Sequence, residues 1–402
     1  MSNADRSAVT DADFYLLEQS LEPEGRQLEH RVREFMEKSV QPVINHYWTR
    51  EEFPYDLLPG LRQLGIAGLA YAGYGCPGGG NLLDGMIAME LARVDPSIGT
   101  FLGVHSGLAM GSIYRCGSQE QKERWLPEMA RMEKIGAFGL TEPDVGSGAA
   151  GGLTTTARRV KGAGEAGGGW ILDGQKKWIG NATFADYVII WARSLEDGQV
   201  KGFVVEQGTP GFETSKMRDK IALRVVQNAH ITLDGVRVPE ENRLQRADSF
   251  AQTAEVLRLT RAGVAWQATG CGRGAYEHAL AYARQRQQFG RPIGSFQLVQ
   301  DLLVKMLSNV TSSACLCARL SALQQAGLAE DHHSALAKAF CTVRMRETVG
   351  WARELLGGNG ILLENHVGRF VADSEAIYSY EGTREINTLI VGRAITGLSA
   401  FV

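Results

Sequence analysis

The sequence has 402 residues, of which 44% are hydrophobic and 22% are charged, and its 42 Lys and Arg oppose 45 Asp and Glu. This length predicts two or three domains with a large buried core, and the composition excludes a disordered or fibrous protein. The net charge of −3 provides no basic field for nucleic acid or for an anionic membrane surface. We find neither a signal peptide nor an apolar run of about 18 residues, so we expect a cytoplasmic protein that does not enter a membrane.

The cysteines give no sign of a disulfide framework or a metal centre. Six cysteines in a chain of this length are a low density, which indicates reduced thiols. Cys315 and Cys317 form a C-x-C on a predicted helix, where residues two apart do not face one another. We therefore predict no metal site.

The period of the apolar residues divides the chain into three parts. Helical spacing marks the first third, short runs rich in β-branched and aromatic residues follow from about Ile135, and helical spacing returns from about Ser249. The predicted helices span residues 24–39, 82–94, 107–115, 251–288, 297–326, 334–356 and 384–398. The predicted strands span residues 169–172, 187–192, 202–206 and 231–238, with turn signals at Asp173-Gly174 and Asp234-Gly235. We predict an N-terminal helical domain (1–135), a middle β domain (136–248) and a C-terminal helical bundle (249–402).

One glycine motif is rejected as a cofactor signature. Gly73, Gly75 and Gly78 spell G-x-G-x-x-G, which binds dinucleotides when it joins a strand to a helix. Pro77 interrupts the segment and its surroundings are helical, so we predict a loop and exclude an NAD site.

A second glycine-containing segment, residues 138–148, is a stronger candidate binding loop. It combines the Thr141 hydroxyl, a turn fixed by Pro143 and a Gly-Ser-Gly stretch around Ser147 that exposes backbone amides. Such a loop can bind the edge of a flat heteroaromatic ring or an anion, although an ordinary turn has the same composition. About 30 residues later, Trp178 stands at a strand end, where it either covers a ligand or packs in the core.

Three C-terminal segments carry the other polar candidates. Residues 284–291 end a helix with cations, which suits the helix dipole without a ligand, and residues 355–360 end another helix in a loop able to admit a phosphate. Residues 380–383, Tyr-Glu-Gly-Thr, precede the last helix. Their apolar and aromatic setting disfavours the charged form of Glu381, as a general base requires. The alternative is a carboxylate that merely interacts with the dipole of that helix.

Together and in this order, these motifs resemble the acyl-CoA dehydrogenase family over nearly the whole chain, from about Leu16 to Phe401. Residues 392–397 resemble the ending of glutaryl-CoA dehydrogenases. Residues 178–181, 226–228 and 353–360 resemble plant short-chain acyl-CoA oxidases more closely. The resemblance implies the acyl-CoA dehydrogenase fold, with an N-terminal helical domain, a middle β domain and a C-terminal four-helix bundle. It also implies a homotetramer, a dimer of dimers, with one FAD per subunit.

The resemblance also assigns roles to individual residues. FAD of the same subunit is expected to contact Phe138, Leu140, Thr141, Ser147, Trp178, Ile179, Gly180, Thr383 and Glu385. FAD of a neighbouring subunit is expected to contact Arg286, Gln297, Gly357 and Gly358. The acyl-CoA is expected to contact Ser147, Arg261, Gly382, Gly99 and Thr100. Glu381 is the expected base for the α-proton, and flavin N5 is the expected acceptor of the β-hydride.

Three positions depart from the family pattern. Gly180 replaces a Thr or Ser that places a hydroxyl near flavin N5, and Gly148 replaces an Asp. Gly99 and Ala92 stand where glutaryl-CoA dehydrogenases have the Arg and Glu that surround the distal carboxylate of their substrate. Burying a carboxylate there without a cation would cost several kcal/mol, so we expect glutaryl-CoA to be a poor substrate.

The implied function is the FAD-dependent conversion of an acyl-CoA, with a short chain favoured, to the 2,3-enoyl-CoA in fatty acid metabolism. Electrons would pass to an electron-transferring flavoprotein. The alternatives are an acyl-CoA oxidase that reduces oxygen and, more remotely, a non-catalytic flavoprotein of the same fold. Residues 400–402 lack a peroxisomal address, which favours the dehydrogenase. Some relatives carry the base immediately before the position of Arg261, where this chain has Thr260, and Glu255 on the same predicted helix remains a second candidate.

Overall fold

The structure is a computed structural model that describes residues 12–161 and 168–400. A helical N-terminal part leads into a seven-stranded sheet, and a bundle of long helices follows. This order agrees with the acyl-CoA dehydrogenase fold expected from the sequence. In the described ranges no helix combines the length and the apolarity that a membrane span requires.

The N-terminal part begins with a helix that has Pro23 at its first position, where the missing N–H costs no hydrogen bond. The helices are α1 (Pro23–Phe35), α2 (Gln41–Arg50), α3 (Leu58–Leu64), α4 (Gly80–Val94), α5 (Pro96–Leu102), α6 (Gly111–Cys116) and α7 (Gln119–Ala130). Two π-helical segments, Met36–Val40 and Gly103–Met110, connect α1 to α2 and α5 to α6. The sequence pattern missed α2, α3, α5 and α7 because these helices have 7 to 12 residues, too few for a clear helical period.

The middle part is a sheet in the order β1-β4-β2-β3-β7-β6, with β5 also paired to β4. Its strands are β1 (Gly136–Gly139), β2 (Thr156–Val160), β3 (Gly169–Ile179), β4 (Tyr187–Ser194), β5 (Val200–Glu206), β6 (Phe212–Lys216) and β7 (Ala229–Pro239), and a four-residue helix, α8 (Ala149–Gly152), precedes β2. β4 is buried on both faces, with Ile189 and Trp191 in the core shared with the helices and Ile190 in a second core across the sheet. The sheet therefore separates the helical core from an outer apolar layer.

Two predicted turns lie inside strands. Asp173-Gly174 falls within β3, so the predicted end of a strand at residue 172 was wrong, whereas Asp234-Gly235 interrupts the predicted strand 231–238 and falls within β7. The pairing of β3 with β7 shifts register between Leu172 and Gly174. Gly174 has a φ of 144° at this irregularity. The glycine signal marks a bulge, which permits the strand to continue to Trp178 at the cavity described below.

The C-terminal part consists of five helices and a small hairpin. They are α9 (Phe250–Gln285), β8 (Gln287–Gln288), β9 (Arg291–Pro292), α10 (Gln297–Gln325), α11 (Asp331–Leu355), α12 (Val367–Ser379) and α13 (Arg384–Thr396). The sequence pattern missed α12, which carries the chain from the glycine loop after α11 to Glu381. Gly73, Gly75 and Gly78 have positive φ angles in the loop between α3 and α4, away from any strand, as the rejection of an NAD site requires.

Glycines permit α4 to lie directly against α9. A Cβ at Gly270 would stand 2.1 Å from the carbonyl oxygen of Met89, and one at Gly274 would stand 2.0 Å from that of Arg93. At the other end of the contact, a Cβ at Gly85 would stand 2.1 Å from Trp266 Nε1. These contacts show that the two helices run in the same direction, with residue 85 beside residue 266.

Candidate active site

A cavity of about 950 Å³ is lined by all three parts of the chain. α4, α5, the π-helical segment after α5 and α9 form its helical walls. The ends of β1 and β3 and the loop between α12 and α13 also line it, together with parts of the loop after β1, the segment 220–223 and residues of α12 and α13.

Most residues expected from the sequence to bind a cofactor or a substrate lie at this cavity. They are Phe138, Leu140, Thr141, Ser147, Trp178, Ile179, Gly180, Thr383, Gly99, Thr100, Arg261, Gly382 and the expected base Glu381. The fold thus brings together residues as far apart in the sequence as Gly99 and Thr383. Their individual roles stay predictions.

Five of the expected residues lie outside the cavity. Arg286, Gln297, Gly357 and Gly358 are exposed on the surface of the single chain, around α10 and after α11. Because they are exposed, these four residues are accessible to the cofactor of a neighbouring subunit, and that contact stays a prediction. Glu385 is exposed on α13 and pairs with Arg384 at 2.8 Å.

Glu381 occupies a strained turn between α12 and α13. Its φ is 55°, in the left-handed region, and Gly382 follows at 83°. A non-glycine residue in this region costs about 1 kcal/mol or more, and it persists because its surroundings hold it. Thr260 Oγ1 donates a hydrogen bond of 2.8 Å to Glu381 Oε2. The hydroxyl therefore fixes the carboxylate at the cavity wall.

The environment of Glu381 favours proton acceptance. Burial raises the pKa of Glu381, while the Thr260 hydrogen bond and the charges of Arg261 and Lys338 act in the opposite direction. Arg261 is nearly buried, and its own pKa is lowered by burial. A carboxylate with a raised pKa is a stronger base once it is ionised.

Lys338 on α11 supports the turn, and the sequence analysis did not predict this role. Its side chain is fully buried, and Nζ donates to the carbonyl oxygens of Tyr378 at 2.7 Å and Gly382 at 2.8 Å. Burial lowers the pKa of Lys338 to about 8. Asn387 Nδ2 donates a further bond of 2.8 Å to the Gly382 carbonyl. The carbonyls on both sides of Glu381 are therefore held by α11 and α13.

Gln267 links the turn to α5. The Tyr380 hydroxyl donates to Gln267 Oε1 at 2.7 Å, and Gln267 Nε2 donates to the Gly99 carbonyl at 3.1 Å. A Cβ at Gly103 would lie 2.8 Å from Gln267 Nε2, so a larger residue there would displace this amide. Gln267 is buried and is the lining residue of α9 that lies furthest along that helix.

The binding loop that follows β1 is anchored by a buried carboxylate. Glu142 accepts bonds from the backbone N–H of Thr154 at 2.7 Å and Thr155 at 2.9 Å and pairs with Lys176 Nζ at 2.9 Å. Burial opposes ionisation, but the Lys176 charge and the threonine bonds outweigh it and lower the pKa of Glu142 to about 2. The sequence analysis treated this loop as a binding loop and overlooked Glu142 as its anchor.

Trp178 stands at the end of β3 with its indole 54% exposed, so it is not a core residue. Asn228 Nδ2 donates a bond of 3.1 Å to the Trp178 carbonyl. Two residues further, a Cβ at Gly180 would lie 3.1 Å from Val104 Cγ2 in the π-helical segment. The π-helical segment therefore lies close to the position where the family pattern has a hydroxyl-bearing side chain and this chain has Gly180. At Gly148, by contrast, a side chain would meet open space.

The second candidate base, Glu255, lies outside the cavity lining and pairs with Arg115 at 3.6 Å. In the described part of the chain, the carboxylates that line the cavity belong to Asp84, Asp331, Glu375 and Glu381. The structure thus favours Glu381 over Glu255.

Comparison with known proteins identifies the family over most of the chain. Three family models match the chain: acyl-CoA dehydrogenase N-terminal domain over residues 22–133, middle domain over 137–236 and C-terminal domain over 250–396. An acyl-CoA dehydrogenase of Bacillus subtilis is 32% identical over 371 residues, which cover 91% of this chain and 96% of that protein.

Two solved structures extend the comparison to the fold. A glutaryl-CoA dehydrogenase from Mycobacterium smegmatis, in complex with FADH2, superposes with a TM-score of 0.92 at 34% identity and covers 97% of this chain and 99% of that chain. Butyryl-CoA dehydrogenase from Megasphaera elsdenii has a TM-score of 0.88 at 30% identity and covers 93% and 98%, respectively.

Proposed function

Because the chain belongs to the acyl-CoA dehydrogenase family, we propose that it is an FAD-dependent enzyme that oxidises an acyl-CoA to the 2,3-enoyl-CoA. The observation that carries this proposal is the Glu381 carboxylate, held at the cavity wall by Thr260 with its pKa raised by burial. A base in this state is suited to remove the weakly acidic proton next to a thioester carbonyl.

The cavity residues fit a flavin. Trp178 offers an exposed indole face, Thr141 and Ser147 offer hydroxyls, and the backbone around Gly146 and Gly148 is free of neighbouring side chains. When bound, FAD would supply the acceptor for the β-hydride. Thr383 and Glu385 are proposed to contact the same cofactor, with Phe138, Leu140, Ile179 and Gly180 beside its ring.

We assign Arg286, Gln297, Gly357 and Gly358 to the FAD of a neighbouring subunit in a homotetramer. Their support is their exposure, since none of them lines the cavity of its own chain. A guanidinium and the amides at a helix end suit a pyrophosphate. Light scattering of the purified protein tests the assembly, and Arg286→Ala should lower FAD retention without changing the subunit fold.

During the reaction, the chain's own groups position and move one proton. The Thr260 hydroxyl and the strained backbone orient the Glu381 carboxylate, which takes the α-proton and becomes neutral. The backbone N–H of Glu381 is proposed to donate to the thioester oxygen as negative charge develops on it. Lys338 and Asn387 keep the turn in place by holding the Gly382 carbonyl.

The acyl chain is proposed to be neutral or polar and to carry no distal carboxylate. Gly99 and Ala92 are neighbours, because a Cβ on Gly99 would lie 3.5 Å from that of Ala92, and neither brings a charge to the cavity. A short chain and transfer of the electrons to an electron-transferring flavoprotein complete the proposal.

An acyl-CoA oxidase is the second candidate because Gly180 leaves out a hydroxyl near the proposed flavin. The close approach of Val104 to this position counts against a space for oxygen there. The relatives reported above are also named dehydrogenases.

Anaerobic titration with straight-chain, branched and hydroxylated acyl-CoAs tests the proposal. We expect the yellow protein to bleach with at least one of them and to form one enoyl-CoA per flavin. A protein that holds FAD and bleaches with none of them would contradict the proposed function.

A further inference from the structure

Asp84 lines the cavity described above and has no role in the function proposed so far. It stands on α4, on the same helix face as Asn81, Gly85 and Ala88, and all four residues line the cavity. The sequence analysis did not select it. The side chain is half-buried at the cavity wall.

The contact of α4 with α9 fixes the position of Asp84 relative to the base. Gly85 lies against Trp266, and Glu381 is bonded to Thr260 on the same helix α9. With a rise of 1.5 Å per residue, Asp84 is therefore displaced by about 5 to 10 Å from Glu381 along α9, toward Gln267. Because Gln267 is buried at this end of the α9 contact, while CoA must extend to solvent, the acyl chain is the part of the proposed substrate that is directed toward Asp84.

The donors around Asp84 are engaged with other groups. The Tyr71 hydroxyl donates to the carbonyl oxygen of Ser106 at 2.9 Å, and Trp266 Nε1 donates to Ser321 Oγ at 3.1 Å. Asn81 Nδ2 donates to Gln325 Oε1 at 3.3 Å, and Arg115 at the cavity wall pairs with Glu255.

The carboxylate is thus left without a partner. Among the described residues it has neither a hydrogen bond nor an ion pair, and no cation offsets the effect of burial, which raises its pKa to about 6. At neutral pH the group is still largely ionised. A half-buried carboxylate without a partner is stabilised by a donor that enters the cavity.

We propose that Asp84 accepts a hydrogen bond from a donor on the acyl chain, so that the substrate is a hydroxylated or aminated acyl-CoA. This inference rests on the proposed function and specifies its substrate. The same carboxylate would repel a distal carboxylate, which adds to the missing cation at Gly99 as a reason to exclude glutaryl-CoA.

The test compares acyl-CoAs of equal length that differ at the chain end. Butyryl-, hexanoyl- and octanoyl-CoA are each paired with the ω-hydroxy and ω-amino forms, and kcat/KM is measured with the FAD-loaded protein. A hydrogen bond to a charged group predicts that, for at least one length, a donor-bearing chain is preferred by about tenfold to a hundredfold. Calorimetry with the matching 2-enoyl-CoA products should give the same order of affinities without turnover.

Variants separate the two kinds of donor and control for the loss of charge. Asp84→Leu should abolish the preference and favour the alkyl chain, whereas Asp84→Asn should retain part of the preference for the hydroxyl and lose that for the ammonium. Asp331→Asn is the matched control, because Asp331 lines the same cavity but already faces Arg258 at 3.8 Å. It should leave the preference unchanged.

Two failures are distinguishable. If alkyl chains reduce the flavin as well as donor-bearing chains of every length, and Asp84→Leu changes no ratio, this inference is wrong and the proposed function stands. If the FAD-loaded protein is reduced by no acyl-CoA, both are wrong.

Discussion

The two halves of the cavity are built differently. Around Glu381, hydrogen bonds hold the turn: Thr260 donates to the carboxylate, and Lys338 donates to the carbonyl oxygens of Tyr378 and Gly382. In the half around Asp84, the lining combines glycines with larger side chains such as Tyr71 and Trp266, and among the described residues Asp84 has no hydrogen-bond or ion-pair partner. Satisfied groups hold the reacting atoms in one geometry, whereas an unsatisfied group leaves its hydrogen bond for the substrate. We therefore assign the proton transfer to the half around Glu381 and the choice of acyl chain to the half around Asp84, which is called the acyl half below.

The strongest test of the catalytic half is Glu381→Gln. We expect it to retain the fold and FAD but to lose about a thousandfold in the rate of flavin reduction, since a positioned base contributes 10² to 10⁴. Stopped-flow absorbance under anaerobic conditions measures this rate. Glu255→Gln is the control and should remain near the parent rate, because Glu255, which pairs with Arg115, does not itself line the cavity. Near-normal reduction by the Glu381 variant would remove this residue from the role.

The acyl half should reject a dicarboxylate. We expect kcat/KM for glutaryl-CoA to be at least about a hundredfold below that for butyryl-CoA, with no release of CO₂, because an unpaired buried carboxylate costs several kcal/mol. Asp84→Asn should narrow this ratio, because it removes the negative charge of Asp84 that would repel the distal carboxylate of glutaryl-CoA. Comparable values for the two substrates in the parent protein would show that another cation receives the distal carboxylate.

A smaller effect is expected when the bond from Thr260 to Glu381 is removed. This hydrogen bond favours the ionised carboxylate, so Thr260→Val should raise the pKa of Glu381 further and move the acid limb of the pH profile to higher pH. Loss of a bond to a charged group also predicts about a tenfold slower reduction near neutral pH. Thr260→Ser, which retains the hydroxyl, should restore both values. A pH profile that is identical in the Val variant would show that the hydroxyl does not act on the base.

The difference between the two halves also explains what the sequence could predict. The period of the apolar residues identified the three-part order, whereas the Tyr-Glu-Gly-Thr segment left two roles open for Glu381, and its assignment as the base came from the family resemblance and stays a prediction. The loop at residues 138–148 and Trp178 were likewise found from local composition, and both lie at the cavity.

The supporting residues escaped prediction because their partners are distant in sequence. Lys338 reaches carbonyls 40 and 44 residues away, and Gln267 reaches Gly99 across 168 residues. A single lysine between Ala337 and Ala339 was the available signal for the first. Asp84 gave no signal, because a carboxylate on a helix is ordinary until the fold places it at a cavity wall without a partner among the described residues.

The smallest predicted effect concerns the compound that reoxidises the reduced flavin. It is tested at Gly180, which lines the cavity. A Cβ at position 180 would lie 3.1 Å from Val104 Cγ2, so Gly180→Ser has to displace that side chain by a few tenths of an ångström. We expect the substrate-reduced parent protein to regain its yellow colour in air much more slowly than it turns over with an electron-transferring flavoprotein. Gly180→Ser should change this slow reoxidation by no more than a few-fold, since a single hydroxyl rarely sets oxygen reactivity. Absorbance in air, with peroxide detection, measures it. Reoxidation as fast as turnover, with one peroxide per enoyl product, would identify an oxidase, and a hydroxyl at position 180 should then slow the reaction markedly.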